Sequence, residues 1–210
     1  MDGQTDSRKM RFCNLHLCRE LECCGEYGFP VVKQYDGELP KSFVPFNISL
    51  SSRDYGSGVH FFIDDYQFER VWRMPERYLP LLSRFRCVVA PDFSLFVDVP
   101  DVVNLWNIYR NRLIASWLQH NGVNLLPSVS WGNRDSFRYC FEGLPDNSII
   151  VVGHTSVGRD VRYSQLWHQG IRELVKRKSP RKLVIYGKPC NVDFDDVVFI
   201  DDYISKLKRV

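Results

Sequence analysis

The chain has 210 residues, 44% of them hydrophobic, and 28 basic against 25 acidic side chains for a formal net charge of +3. That composition fits one folded domain with a full core and excludes a disordered chain; the charge excess is too small to imply nucleic acid by itself, although one face can still be basic. No apolar run approaches the ~20 residues needed to cross a bilayer, and no apolar signal segment follows the polar start Met1 to Arg11, so a cytoplasmic location is expected.

Residues 1–40 read as an irregular N-terminal extension and residues 41–210 as a single α/β domain. The extension holds Cys13, His16, Cys18, Cys23 and Cys24. These are metal-ligating residue types, but zinc sites draw on two separated pairs and the second is missing, so incidental thiols and no bound zinc are expected. Cys87, Cys140 and Cys190 read as small buried apolar residues of a reducing compartment.

From Phe43 onward, apolar runs of strand length alternate with segments of helical period. Strands are expected at Phe43 to Ile48, Val59 to Ile63, Cys87 to Ala90, Asn124 to Val129, Ser148 to Val152, Lys182 to Tyr186 and Val197 to Ile200. Runs such as Ile149-Ile150-Val151-Val152 are apolar on both faces, the habit of parallel sheets covered on both sides. Gln67 to Phe85 reads as one helix, or as two broken at Pro75. Asp101 to His120 is the clearest helix, starting after Pro100 and capped by Gly122, with Val102, Leu105, Trp106, Tyr109, Leu113 and Trp117 on one stripe. A shorter helix fits Asp135 to Glu142, and Ser164 to Lys178 reads as a helix stopped by Pro180.

Strand–helix alternation of this kind joins parallel neighbours through right-handed crossovers. Two α/β architectures fit: an incomplete or closed β/α barrel, or an open doubly wound sheet. Neither G-x-G-x-x-G nor G-x-x-x-x-G-K-[ST] occurs, so the two common Gly-rich phosphate fingerprints are absent.

Several blocks in order carry a family likeness. They are His60 to Trp72 (HFFIDDYQFERVW), Ala90-Pro91-Asp92-Phe93-Ser94, Trp106-Asn107-Ile108-Tyr109-Arg110-Asn111-Arg112, Pro127 to Gly132, Cys140-Phe141-Glu142-Gly143 and Val184-Ile185-Tyr186-Gly187. Together they resemble a family of phage and mobile-element proteins known only as a domain of unknown function. The resemblance implies a phage, prophage or plasmid origin in bacteria and supplies no activity. Around His154-Thr155-Ser156 the family more often shows a Thr-His-Gly run.

Ligands of parallel α/β folds bind beyond the carboxyl ends of the strands. Residues there are Asp64 and Asp65, Asp92 and Ser94, Trp131 with Asn133 and Arg134, His154 and Thr155, Tyr186 at the end of its strand, and Asp201 and Asp202. Asp64, Asp65 and Asp92 are the expected catalytic or acid/base carboxylates, and Asp64 and Asp92 could hold Mg²⁺, which favours hard oxygen ligands. Ser94, Trp131, Asn133, Arg134, His154 and Tyr186 are the expected ligand-binding residues, with Trp131 able to stack on a base. Each also has a structural reading: Asp64 or Asp65 as a helix cap, Asp92 as a turn residue, Trp131 as a rim aromatic, His154 as a loop histidine. Two function classes follow: an enzyme acting on a nucleotide or nucleic acid, or a binding protein without chemistry for a nucleotide, a nucleic-acid end or a host protein.

Overall fold

The computed structural model describes residues 11–154 and 161–200. Thr155, Asp201 and Asp202 therefore lie outside the described residues.

A short antiparallel pair, β1 (Cys23–Cys24) with β2 (Phe29–Pro30), precedes the main sheet. The strands that follow are β3 (Phe43–Pro45), β4 (Gly58–His60), β5 (Cys87–Val89), β6 (Leu125–Leu126), β7 (Ser128–Val129), β8 (Ile149–Gly153), β9 (Lys182–Tyr186) and β10 (Val197–Ile200). They pair in parallel throughout, in the orders β3-β4-β5-β6 and β7-β8-β9-β10. β6 and β7 are two stretches of one run through Pro127. Ala90 donates its N–H to Leu126 on one side, and Val151 donates to the Pro127 carbonyl on the other, at 2.9 and 2.8 Å. The proline has no N–H of its own to give. Spatial order follows chain order without the reversal that defines a doubly wound sheet. No pairing closes the sheet among the described residues, so the α/β architecture is an open or incomplete barrel-like sheet, curled on itself.

The apolar runs explain the two covered faces. Along β8, Ile150 and Val152 enter a cluster with Phe141, Trp167, Leu174 and Ile185 beneath the helix Val161–Lys178. The alternate residues Ile149 and Val151 enter the concave cluster with Tyr35, Phe43, Cys87, Leu126 and Val184. Burying each such aliphatic side chain is worth roughly 1.5–3 kcal/mol. Phe62 and Ile200, from opposite parts of the sheet, both pack on the concave cluster, which shows the curl.

Three details depart from the sequence reading, and at a fourth one of its two alternatives holds. The run after Phe43 turns into the short helix Phe46–Ser49 instead of continuing as strand. The stretch from Gln67 is indeed two helices, Asp65–Arg73 and Pro75–Leu82. Residues Arg134–Arg138 form a 3-10 turn where a longer helix is expected. The helix Asp101–His120 has its expected bounds, with Gly122 in the left-handed conformation past its end (φ 81°). Its expected stripe is only partly right. Val102 is 69% exposed, whereas Asn104, Asn107, Arg110, Asn111 and Arg112 are buried.

The N-terminal stretch is laid on the domain. Leu17 is buried in the cluster around Trp72 and Leu118, and the Asn14 amide donates to the Trp72 carbonyl. No described helix is long and apolar enough to cross a membrane.

Candidate functional site

Six of the expected residues, Asp64, Asp65, Asp92, Ser94, His154 and Tyr186, sit at the carboxyl ends of β4, β5, β8 and β9. β4 ends at His60, which is buried; its Nδ1 accepts the N–H of Phe62 at 3.2 Å. Phe62 is half-buried and stacks on Tyr186 with ring centroids 4.6 Å apart and planes 13° from parallel; His60 lies 4.4 Å from the same Tyr186 ring. Those contacts exist because the sheet curls, bringing the end of β4 to the end of β9.

Asp64 occupies the N-cap position of the following helix, but its carboxylate makes no capping hydrogen bond and is exposed. Asp65, one residue on, turns inward. Its carboxylate accepts the Ser94 N–H at 3.1 Å and the Ser94 hydroxyl at 2.8 Å. The loop after β5 is thereby tied to the helix after β4.

That loop carries Asp92. Its carboxyl is pushed up to about 7 from the ordinary 3.8, first by burial and then by the negative charge of Asp65, while a hydrogen bond with Ser130 works in the opposite direction. Gly153 faces it. A Cβ there would stand 3.1 Å from the Phe62 ring and 3.9 Å from the Asp92 carboxylate. The absence of a side chain at Gly153 lets the Phe62 ring pack close against the backbone beside the carboxyl. His154 continues the rim, its ring edge-on to Trp167 at 4.7 Å, and Trp167 donates its indole N–H to the Gly153 carbonyl at 2.8 Å. Burial holds the His154 imidazole below its ordinary pKa, a hydrogen bond with the Lys188 backbone opposes this, and His168 adds to the lowering.

The remaining three expected residues are placed otherwise. The Trp131 indole packs under the helix Val161–Lys178 at Gly170, with Phe137, Phe141 and Trp167 around it. The Asn133 side-chain oxygen accepts the Ser136 N–H at 3.0 Å and so caps the 3-10 turn. Arg134 is exposed in a groove against that same helix.

Beneath the loop lies a polar layer that the sequence reading does not single out. Asn111 donates to the Pro91 carbonyl and Asn107 to the Ser94 carbonyl, each at 2.6 Å. Ser128 donates to the Ala90 carbonyl at 3.0 Å. Arg110 pairs with Glu69 at 2.8 Å and lies 3.9 Å over the Phe93 ring. Arg112 is 2% exposed and donates to the carbonyls of Cys140 and Glu142 at 2.7 and 2.9 Å, and to the Asn111 side chain. The signal that could have found this layer is Asn104, Asn107 and Asn111 at helical spacing within an apolar helix.

Among the described residues no three His, Cys, Asp or Glu side chains gather as a metal-holding group. The carboxylates whose charges couple are Asp65 and Asp92, not Asp64 and Asp92, and Asp65 already accepts two bonds from Ser94. In the N-terminal stretch, His16 pairs with Glu76 at 3.1 Å and Cys18 meets the Tyr109 hydroxyl at 3.6 Å. Chemically, the strand ends gather the Phe62–Tyr186 ring stack, the Gly153 backbone and a carboxyl able to hold or release a proton near neutrality.

A family model described as Domain of unknown function (DUF4417) matches residues 21–204. The Gene 1 protein of Mycobacterium phage L5 is 31% identical over 207 residues, covering 95% of this chain and 88% of that protein. The Gene 1 protein of Mycobacterium phage D29 is 36% identical over 157 residues, covering 71% of this chain and 58% of that protein. No solved structure matches.

Proposed function

Since the chain belongs to the DUF4417 family, whose description names no activity, its chemistry has to be read from the site, and we propose that the mouth at the strand ends binds a nucleotide or nucleotide unit in the cytoplasm of a bacterial host. The observation that carries this is the juxtaposition of the Asp92 carboxyl with the half-buried Phe62 ring across Gly153. A base is flat and presents donors and acceptors along its edge. An aromatic face stacks on it, and a carboxyl held near its protonation midpoint either accepts from or donates to that edge. The same Asp92 is the natural acid/base group if a reaction follows, with burial first and Asp65 second keeping its pKa high and Ser94 held in place by Asp65.

A binding protein without chemistry is the second reading, favoured by one observation. The Asp65 carboxylate is occupied by Ser94, which leaves Asp92, itself hydrogen-bonded with Ser130, as the other carboxyl of the coupled pair. In either reading a divalent ion would arrive with the ligand's phosphates, because two carboxylates alone are a sparse oxygen set.

The test is calorimetric titration with the nucleoside monophosphates and triphosphates, with and without Mg²⁺, on wild type, Phe62→Ala and Asp92→Asn. Binding of at least one nucleotide, weakened about tenfold or more by Phe62→Ala as stacking loss requires, supports the reading. Absence of binding at millimolar nucleotide overturns it. Turnover of the bound nucleotide that Asp92→Asn abolishes selects the enzyme; binding without turnover selects the binder.

A further inference from the structure

Arg134, Phe137, Gln169, Arg172 and Glu173 line a groove of about 330 Å³ between the 134–138 turn and the 161–178 helix. Between it and the mouth lies a run of packed rings, with Phe137 and Trp167 buried. Phe137 lies 6.3 Å from Trp131, Trp131 lies 6.5 Å from Trp167, and Trp167 lies 4.7 Å from His154 at the rim.

The charges in the groove are unequal. Glu173 is paired with Arg177 at 2.8 Å. Other cations nearby are also engaged: Arg138 with Asp101 at 3.0 Å and Lys178 with Asp146 at 3.3 Å. Arg134 and Arg172 are exposed and form no ion pair among the described residues, and neither does Lys176, one turn beyond Arg172 on the same helix face. The helix dipole accounts for a cation in the last turn such as Lys176. It does not account for Arg172, which lies before that turn, or for Arg134, which belongs to a different element.

Two exposed guanidinium forks, with a side-chain amide and an aromatic ring in the same groove, form a surface for phosphate oxygens linked by sugars. We propose that this groove holds the phosphodiester backbone of a single-stranded nucleic acid whose unstacked base enters the mouth beside Asp92. The inference rests on the nucleotide reading of the mouth. A single strand is required because a base reaching Phe62 has left its stack, and a duplex would have to be opened first.

The test is fluorescence anisotropy of labelled single-stranded DNA and RNA oligonucleotides with the full chain across a salt series, with Arg134→Gln/Arg172→Gln as the variant. Both side chains are exposed, and matched thermal melts would verify that the variant folds. The expected result is affinity lowered about tenfold and a salt slope reduced by about 1.4, the contribution of two phosphate contacts on a single strand. Mononucleotide binding at the mouth should be unchanged. An oligonucleotide that binds no tighter than a mononucleotide, or a variant with the wild-type slope, overturns the groove while leaving the mouth intact. A preference for duplex over single strand also overturns it. If neither mononucleotide nor oligonucleotide binds, the reading of the mouth falls, and the groove inference with it.

Discussion

Ser94 is bound to Asp65 twice, through its backbone N–H at 3.1 Å and its hydroxyl at 2.8 Å, so a loop that follows one strand is locked to a helix that follows its neighbour. This pair fixes where Asp92, two residues upstream, can stand. Ser94→Ala removes the hydroxyl donor to an ionised acceptor and should destabilise the fold by about 1.5 kcal/mol. Urea denaturation measures it, and a change below about 0.5 kcal/mol, the range of an ordinary surface substitution, would show that the tie is incidental.

Asp92 predicts a pH dependence of known sign. Its carboxyl sits at about 7 in the folded chain against the ordinary 3.8, raised by burial and by Asp65. Between those values the folded state keeps a proton that the unfolded state has released. Its contribution to stability is therefore full below about pH 4, declines as pH rises toward 7 by at most about 1.4 kcal/mol per pH unit, and is level above 7. Asp92→Asn should remove that slope and leave the variant the more stable protein at pH 8. Denaturation curves at pH 5, 6, 7 and 8 for both proteins decide this; parallel curves would mean that the carboxyl titrates normally.

Arg112 is a buried cation whose hydrogen-bond partners are neutral oxygens: the carbonyls of Ser128, Cys140 and Glu142 and the side chain of Asn111. Truncation to alanine leaves those acceptors unpaired and opens a cavity, so Arg112→Ala should cost about 3 kcal/mol or more. Because Asn111 also holds the Pro91 carbonyl, the amide signals of Asp92 and Ser94 should shift in an NMR spectrum of the milder Arg112→Lys. Unmoved Asp92 and Ser94 signals would separate this layer from the mouth.

The parallel α/β class was legible because β8 and β9 are apolar on both faces, a pattern that follows from cover on both sides. The helix Asp101–His120 was legible at its ends, where Pro100 and Gly122 act locally. Its buried face was not, since Asn107, Arg110, Asn111 and Arg112 are buried through partners distant in sequence, which helical period cannot reveal. Placing carboxylates after strands was likewise a local inference. Which of them meet depends on helix phase: Asp65 at the first helical position turns inward, whereas Asp64 at the cap remains exposed. Trp131 was ambiguous for a similar reason. Gly170, on a helix 39 positions away in sequence, makes the space that its indole fills.

That contact gives a further prediction. A Cβ at Gly170 would stand 2.0 Å from the Trp131 ring. Gly170→Ala should therefore destabilise by about 1–3 kcal/mol through overpacking, despite the higher helix propensity of alanine. Trp131→Phe in the same chain should recover part of the loss. A stabilised Gly170→Ala would contradict the packing described.

We propose that a nucleotide binds at the mouth beside Phe62, Gly153 and Asp92. An amide NMR titration of the ¹⁵N-labelled chain with nucleoside monophosphates tests it residue by residue. Saturable shifts are expected to concentrate at Phe62, Ser94, Gly153, His154 and Tyr186. Saturable shifts confined to another surface, or none at millimolar nucleotide, would contradict it.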